Sequence, residues 1–299
     1  MINARSKAVA RRLYAGTVCC ALGLLVAAQA PAATKDARSP LAITDAATES
    51  ALDRVLDGEQ RSAASRERDV YRHPKATLGF FGIRRDMTVL EVWPGKGGWW
   101  TEILAPLLKE HGHYVAAQWD SKSEQPYIQD GLKAYQAKLA GDPVAYGKVS
   151  VVALQYPNAL SPVPPNSVDL ALTFRNLHNW LGTPDAAKAM LTALFKSLKP
   201  GGILGVEDHR ASTSRPADLQ LKLGYVDEQA AIELVKSAGF EYLGASEINA
   251  NAKDTKDYEQ GVWTLPPTYR LGDKDRERYK AIGESDRFTL KFRKPVDAR

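Results

Sequence analysis

Side chains that could hold a charged ligand or move a proton follow three short apolar runs of this 299-residue sequence. Glu91 lies near the end of the first run, Asn176 and His178 follow the second, and Asp208 and His209 follow the third. A carboxylate can hold a cation, and an imidazole can accept a proton near neutral pH. These residues can act together only if the fold brings the ends of the three runs to one place.

The first run opens the stretch around which the chain is organised. Thr88–Val92 is apolar and β-branched, which predicts a strand buried on both faces. Gly95 and Gly97 follow, and then apolar residues at helical spacing from Ile103 to Leu108. A strand, a glycine-rich turn and a helix begin a βαβ unit that binds a nucleotide-like ligand. The glycines let the backbone approach the ligand, and the helix N-terminus offers unpaired N–H donors.

The position of the carboxylate separates the possible ligands. A dinucleotide fingerprint places its acid about 20 residues downstream, whereas Glu91 precedes the glycines in the pattern E-x-x-x-G-x-G. This pattern resembles the first motif of the class I S-adenosylmethionine-dependent methyltransferases. The resemblance implies that Glu91 helps to hold the cationic methionyl part of the cofactor and that Gly95 and Gly97 pack against it. Trp93 stands at the family's first glycine position and is counted with the cofactor-binding residues, in a turn bulkier than the family's.

The second half of the chain carries the same resemblance further. VDLALTFRNLHNW (168–180) and LKPGGILGVEDH (198–209) resemble the fourth- and fifth-strand motifs of small-molecule methyltransferases. Glu241–Ile248 and Arg287–Arg293 would be strands six and seven. The resemblance covers 71–295 and extends to secreted bacterial proteins described as predicted methyltransferases. It implies an α/β, Rossmann-like methyltransferase fold, with a seven-stranded, mostly parallel sheet, an antiparallel last strand and helices on both faces.

In an open parallel sheet, ligands bind at the carboxyl ends of the strands, so the side chains named first should share one edge. We predict that Asn176 contacts the cofactor. For the proton acceptor we choose His209, which stands two residues beyond a strand predicted to end at Glu207, near the pocket mouth. His178 is the other candidate base, in a segment that packs against the cofactor in the resembled family. Asp208 comes next.

The family's ribose-binding acid is less well matched. The second strand is predicted at 113–119, and its register places Gln118 where the family usually has an acid. We assign the ribose hydroxyls to Asp120, because a carboxylate accepts two hydrogen bonds where an amide oxygen is a poorer acceptor. The alternative is an aspartate that only starts a turn.

Two segments are predicted to cover the pocket. In the resembled family helices before the first strand often do so, which makes Tyr71–Phe81 a candidate lid, after a longer helix predicted at Ala51–Arg68. The stretch 249–269 is long for a connection and aromatic, which favours a flap on the substrate side. Trp93, Trp99 and Trp100 form either an aromatic wall or ordinary packing.

The chain is divided into a signal peptide (1–33), a mobile leader with an N-terminal helix (34–70) and one methyltransferase-like domain (71–299). The first segment has a basic start, an apolar run and small residues, as secretory signals do. Removing its four positive charges lowers the formal charge from +5 to about +1 (5 − 4). We therefore expect an exported protein, periplasmic or secreted, that has no stable membrane insertion after cleavage and no nucleic-acid surface.

These observations predict an S-adenosylmethionine-dependent methyltransferase with a small-molecule acceptor. One alternative is an exported, non-catalytic ligand-binding protein that keeps the fold. Another is an RNA methyltransferase, since the Pro-Gly-x-Gly-Gly-Trp turn resembles that of ribose 2′-O enzymes, although a near-neutral chain opposes it. His111 and His113 have no third ligand in sequence, so no metal is predicted. The acceptor and the oligomeric state do not follow from the sequence.

Overall fold

Seven apolar segments pair into one sheet within residues 45–297, the part of the chain that the computed structural model describes. The strands are β1 (Thr88–Val92), β2 (His113–Gln118), β3 (Ser150–Ala153), β4 (Val168–Phe174), β5 (Leu198–His209), β6 (Glu241–Ser246) and β7 (Arg287–Arg293). Their order across the sheet is β3-β2-β1-β4-β5-β7-β6. The first five strands are mutually parallel, and β7 runs antiparallel to both β5 and β6. The predicted seven-stranded Rossmann-like fold is confirmed.

Helices cover both faces of this sheet, as predicted. They are α1 (Ala46–Leu56), α2 (Ala63–Arg66), α3 (Asp69–Arg72), α4 (Pro74–Phe81), α5 (Thr101–Leu108), α6 (Pro126–Gly141), α7 (Pro143–Tyr146), α8 (Leu177–Leu181), α9 (Ala186–Ser197), α10 (Ala217–Lys222), α11 (Glu228–Ser237) and α12 (Arg276–Ile282), with a 3₁₀ turn at Gly261–Thr264. A hydrophobic core lies on each face of the sheet, and alternate residues of β1 pack into one core or the other. Val89 packs with α4 and α5, and Leu90 and Val92 pack with α8, α9 and α11. Such alternation is what two covered faces require.

Several boundaries differ from the sequence prediction, including the ends of β2 at Gln118 and of β6 at Ser246. The helix predicted at Ala51–Arg68 is wrong: α1 begins at Ala46, where the Asp45 carboxylate accepts from the Thr48 N–H, and it ends before Gly58. The segment predicted as a mobile leader with an N-terminal helix (34–70) is therefore helical already from Ala46. Strand β5 extends to His209, because β7 pairs with it up to the last residue, His209 opposite Arg287.

The segment Tyr71–Phe81 does not behave as a lid over a pocket. The side chains of Leu78 and Phe81 in α4 are fully buried in the core. From this segment only Arg72 lines the cavity at the carboxyl ends of β1, β4 and β5. The predicted signal peptide lies outside the described residues. Within 45–297 no helix combines the length and the apolar character that a membrane crossing needs.

Candidate functional site

A cavity of about 280 Å³ opens at the carboxyl ends of β1, β4 and β5. Strand order reverses beside β1, since β2 and β4 lie on its two sides, and this is where ligands bind in open α/β sheets. Predicted site residues that line the cavity are Glu91, Trp93, Gly95, Asn176, His178 and His209. Gly97, Asp120 and Asp208 do not line it.

Glu91 lies in β1, and only 2% of its surface is exposed. The Tyr114 hydroxyl donates to its Oε2 at 2.5 Å, and Tyr114 is bonded in turn to Thr101 at 3.0 Å. Burial raises the pKa of Glu91 to about 8, against the lowering effects of the Tyr114 hydrogen bond and the Arg72 charge. The carboxyl group is therefore mostly protonated at neutral pH, and it would ionise when a cation binds beside it.

The turn after β1 is built differently from a plain glycine turn. Trp93 has φ +46° and Gly95 has φ +73°, and a Cβ on Gly95 would meet no atom within 4 Å. The Trp93 indole N–H donates to the Leu154 carbonyl oxygen at 2.7 Å. Its ring lies against Trp119 and Trp180. Trp93 also lines a second cavity, of about 410 Å³, so its indole stands between the two cavities.

Asn176 ties the ends of two strands together. Its Nδ2 donates to the Val92 carbonyl oxygen at 2.9 Å, and the side chain is buried at the cavity wall. The amide thereby fixes the end of β1 against the segment that follows β4. Asn176 thus lines the cavity, and its contact with a cofactor stays a prediction.

Asp120 occupies a turn after β2. Its Oδ1 accepts from the Lys122 N–H at 2.9 Å, as a turn-starting aspartate does. Gln118 is only 1% exposed, and neither atom of its amide has a hydrogen-bond partner within the described part of the chain. Buried polar groups are nearly always satisfied. Gln118 therefore has unused hydrogen-bonding capacity, but neither Gln118 nor Asp120 lines the cavity.

His178 and Asp208 form a buried pair. The His178 ring Nδ1 lies 2.8 Å from Asp208 Oδ1, and the His178 backbone N–H donates to Oδ2. Burial alone would raise the pKa of Asp208, but the neighbouring imidazoles of His178 and His209 and their hydrogen bonds hold it below its usual value. An ionised Asp208 fixes the Nδ1–H tautomer of His178, which leaves Nε2 as the acceptor at the cavity.

His209 lies deeper than predicted. We expected it beyond the strand near the pocket mouth, but it is the last residue of β5, is 7% exposed, and has Nδ1 2.5 Å from Ser285 Oγ. Burial lowers its pKa well below the usual value, and the charges of His178, Arg175 and Arg287 add to this effect against the opposing charge of Asp208. The placement is wrong because β7 extends the pairing of β5 by two residues.

His178, Asp208 and His209 offer three ligand atoms within 4.8 Å of one another, a geometry that could hold a metal ion. Arg175 and Arg287 are close enough to lower the pKa of His209, and such nearby positive charge opposes a divalent cation. The absence of a metal stays a prediction.

Four arginines beside the cavity were missed by the sequence analysis. They are Arg68, Arg72, Arg175 and Arg287, and two of them, Arg72 and Arg175, line the cavity. The one signal in sequence was Arg175 directly after the apolar run 168–174.

The predicted flap does reach the cavity, through Val262, Trp263, Pro266 and Pro267. Trp100 is one of the three tryptophans predicted to form either an aromatic wall or ordinary packing. It stacks on Phe174 with ring centroids 4.2 Å apart, so it contributes to packing as well as to the cavity wall.

Two solved structures share the fold over most of this chain. One is a SAM-dependent methyltransferase from Aquifex aeolicus, with 18% identity and a TM-score of 0.50, covering 82% of this chain and 98% of that one. The other is the [4+2]-cyclase SpnF, with 17% identity and a TM-score of 0.50, covering 87% and 100%. No protein-family model matches the chain, and no curated protein sequence does. Identities this low carry the fold, which is that of class I methyltransferases, and a cyclase among the neighbours shows that the fold does not fix the reaction.

Proposed function

We propose that this chain is an S-adenosylmethionine-dependent methyltransferase that acts on a small molecule. The observation that carries the proposal is the convergence of Glu91, Gly95, Asn176 and His178 on one cavity at the reversal point of a class I sheet. When bound, the cofactor supplies an electrophilic methyl group on a sulfonium ion. The residues fit it: a buried carboxyl can ionise beside a cation, and the backbone at Gly95 is open.

His178 is the proton acceptor in this proposal, in place of His209. Asp208 holds the His178 ring by Nδ1, and Nε2 is left to take a proton from an oxygen, nitrogen or sulfur nucleophile in the cavity. Asp208 is a positioning residue, because it acts through the histidine. Neutral His209 packs beside His178, with ring centroids 5.3 Å apart, and lines the same cavity.

A small acceptor is favoured by the flap that borders the site. Trp263, Pro266 and Pro267 of the flap line the cavity, and apolar and aromatic walls of this kind suit a small ligand. We further propose, on the basic and apolar pattern of residues 1–33 alone, that the protein is exported.

The test begins with calorimetry of S-adenosylmethionine binding to the protein without residues 1–33. Formation of S-adenosylhomocysteine is then measured with panels of phenols, amines, thiols and carboxylates. We expect His178→Gln to lower kcat roughly 100-fold or more with cofactor affinity near wild type, since a general base supplies about 10²–10⁴-fold. His209→Gln should keep most of the activity. The reverse ranking would restore His209 as the base.

The second candidate is a ligand-binding protein without catalysis. Trp93 favours it, because an indole at the family's first glycine position fills space between the two cavities. Cofactor binding at micromolar Kd with no turnover on any acceptor would support this candidate. The absence of binding at millimolar cofactor would contradict both.

A further inference from the structure

Positive charge exceeds negative charge at one wall of the cavity. Glu284 accepts from Arg68 at 2.6 Å, from Arg287 at 2.7 Å and from Arg72 at 3.3 Å. Glu207 pairs with Arg287 at 3.0 Å. Two carboxylates thus face four guanidinium groups, because Arg175 belongs to the same cluster. Glu91, the other acid at this wall, has a pKa of about 8 and adds little negative charge at neutral pH.

Arg175 is the guanidinium that this cluster leaves unpaired. Its side chain makes no ion pair or hydrogen bond with any residue of 45–297, and its Nε is shielded from solvent without a partner. Its backbone is left-handed, with φ +60°, directly after β4. A left-handed conformation is unfavourable for a side chain with a Cβ and is found mainly where a site requires it.

Arg72 shares this unsatisfied state in part. It is 2% exposed, its Nη2 has no hydrogen-bond partner in the described chain, and its guanidinium carbon lies 4.5 Å from the centre of the Trp99 ring. Burial, together with the charge of Arg175, lowers the pKa of Arg72 well below its usual value. Both side chains line the cavity. Buried arginines are almost always paired, because desolvating an unpaired charge is costly.

We propose that Arg72 and Arg175 form a carboxylate-binding site within the cavity. A guanidinium presents parallel N–H donors that match the two oxygens of a carboxylate, and such bonds are stronger than neutral ones. The carboxylate belongs either to the amino-acid part of the cofactor or to the acceptor. That choice of source rests on the proposed function, whereas the anion site does not.

Two pairs of organic ligands and the variant Arg175→Gln test the proposal by calorimetry. S-adenosylhomocysteine carries a carboxylate that 5′-methylthioadenosine lacks, and benzoate differs from benzamide by its charge. Arg175→Gln should weaken one carboxylate ligand roughly 10- to 100-fold, the usual effect of a lost charge-assisted hydrogen bond, and leave its neutral counterpart unchanged. Loss on S-adenosylhomocysteine assigns the site to the cofactor. Loss on benzoate, measured with S-adenosylhomocysteine bound, assigns it to the acceptor. Chloride and nitrate complete the set as anions without a carboxylate, and should compete weakly.

Stability separates a binding role from a structural one. Removing an unpaired charge whose Nε is shielded from solvent should leave the Tm of ligand-free Arg175→Gln equal to or above wild type, whereas a structural arginine would lower it. Arg84→Gln is the control, since Arg84 is half-exposed and paired at the surface with Asp86. The proposal is overturned if Arg175→Gln binds all four organic ligands as wild type does, or loses the neutral ones too with a lowered Tm. Should the wild type bind neither nucleoside, the proposed function fails, and the benzoate and benzamide comparison alone decides the anion site.

Discussion

Glu91 is buried in its protonated form, and a cation bound beside it would favour the ionised form. Its folded pKa of about 8 lies above the value of 4.5 expected in the unfolded chain. The protonated folded form is therefore fully stable below pH 4.5, and the stability that this group contributes is lost as the pH rises through 8. A cation bound beside the carboxyl would reverse this cost by favouring the ionised form.

We expect Glu91→Gln to remove this pH dependence. Between pH 5 and 9 the ligand-free wild type should lose a few kcal/mol of unfolding free energy that the variant keeps. At pH 9 the variant should bind S-adenosylmethionine roughly 10- to 100-fold more weakly than wild type, and the gap should narrow at pH 6, where Glu91 is protonated. Urea unfolding and calorimetry across this pH range measure both effects. If unfolding free energy and affinity depend on pH in the same way in wild type and Glu91→Gln, Glu91 has a structural role instead.

Neighbouring glycines in the turn between β1 and α5 differ in how strongly the fold requires them. Gly98 has φ +53°, and a Cβ there would lie 2.9 Å from the Tyr135 ring and 3.0 Å from Thr101 Oγ1. At Gly97, one residue earlier, a Cβ would meet nothing within 4 Å. Gly98 is therefore required by its backbone conformation and its close neighbours, whereas neither requirement applies at Gly97.

Alanine substitutions at the two glycines should show this difference. Gly98→Ala should lower the unfolding free energy by about 1–3 kcal/mol through backbone strain and crowding. Gly97→Ala should leave both stability and cofactor binding near wild type, because the added methyl group enters open space outside the cavity lining. Thermal unfolding and calorimetry measure the pair. Equal losses of stability at the two positions would contradict this division.

The length of β5 is set by its neighbour and not by its own sequence. Its pattern predicts a strand at Ile203–Glu207, but β7 pairs with it as far as His209. A single sequence does not show where a partner strand, some 80 residues later, begins. This pairing across the sheet moved His209 from the expected mouth of the pocket into its wall.

At the scale of the whole molecule, the N-terminal segment remains a separate question. If residues 1–33 are a signal peptide, N-terminal sequencing of the native protein should give a start between about Ala30 and Lys35. Cell fractionation should then find it outside the cytoplasm. A native chain that begins at Met1 or Ile2 would contradict export.

The fold could be predicted because its signals are local. Apolar runs such as Thr88–Val92 and Val168–Phe174 have the bounds expected of them, and the glycine turn identified the binding edge. The arginine cluster could not be predicted, since Arg72, Arg175 and Glu284 come from distant parts of the chain. Nothing in their spacing indicates a shared cavity. The same holds for the Asp208 carboxylate, which neighbours His209 in sequence but binds the ring of His178.

All six tryptophans of the chain line one or both of the two cavities. They are Trp93, Trp99, Trp100, Trp119, Trp180 and Trp263. The intrinsic ultraviolet emission of the protein therefore originates at the walls of its candidate site, with none from indoles elsewhere. Any molecule that enters should quench or shift that emission, so an unlabelled sample in a fluorimeter can be screened against whole metabolite libraries. Because tryptophans line the cavities, their intrinsic fluorescence can report the binding of an acceptor without any label.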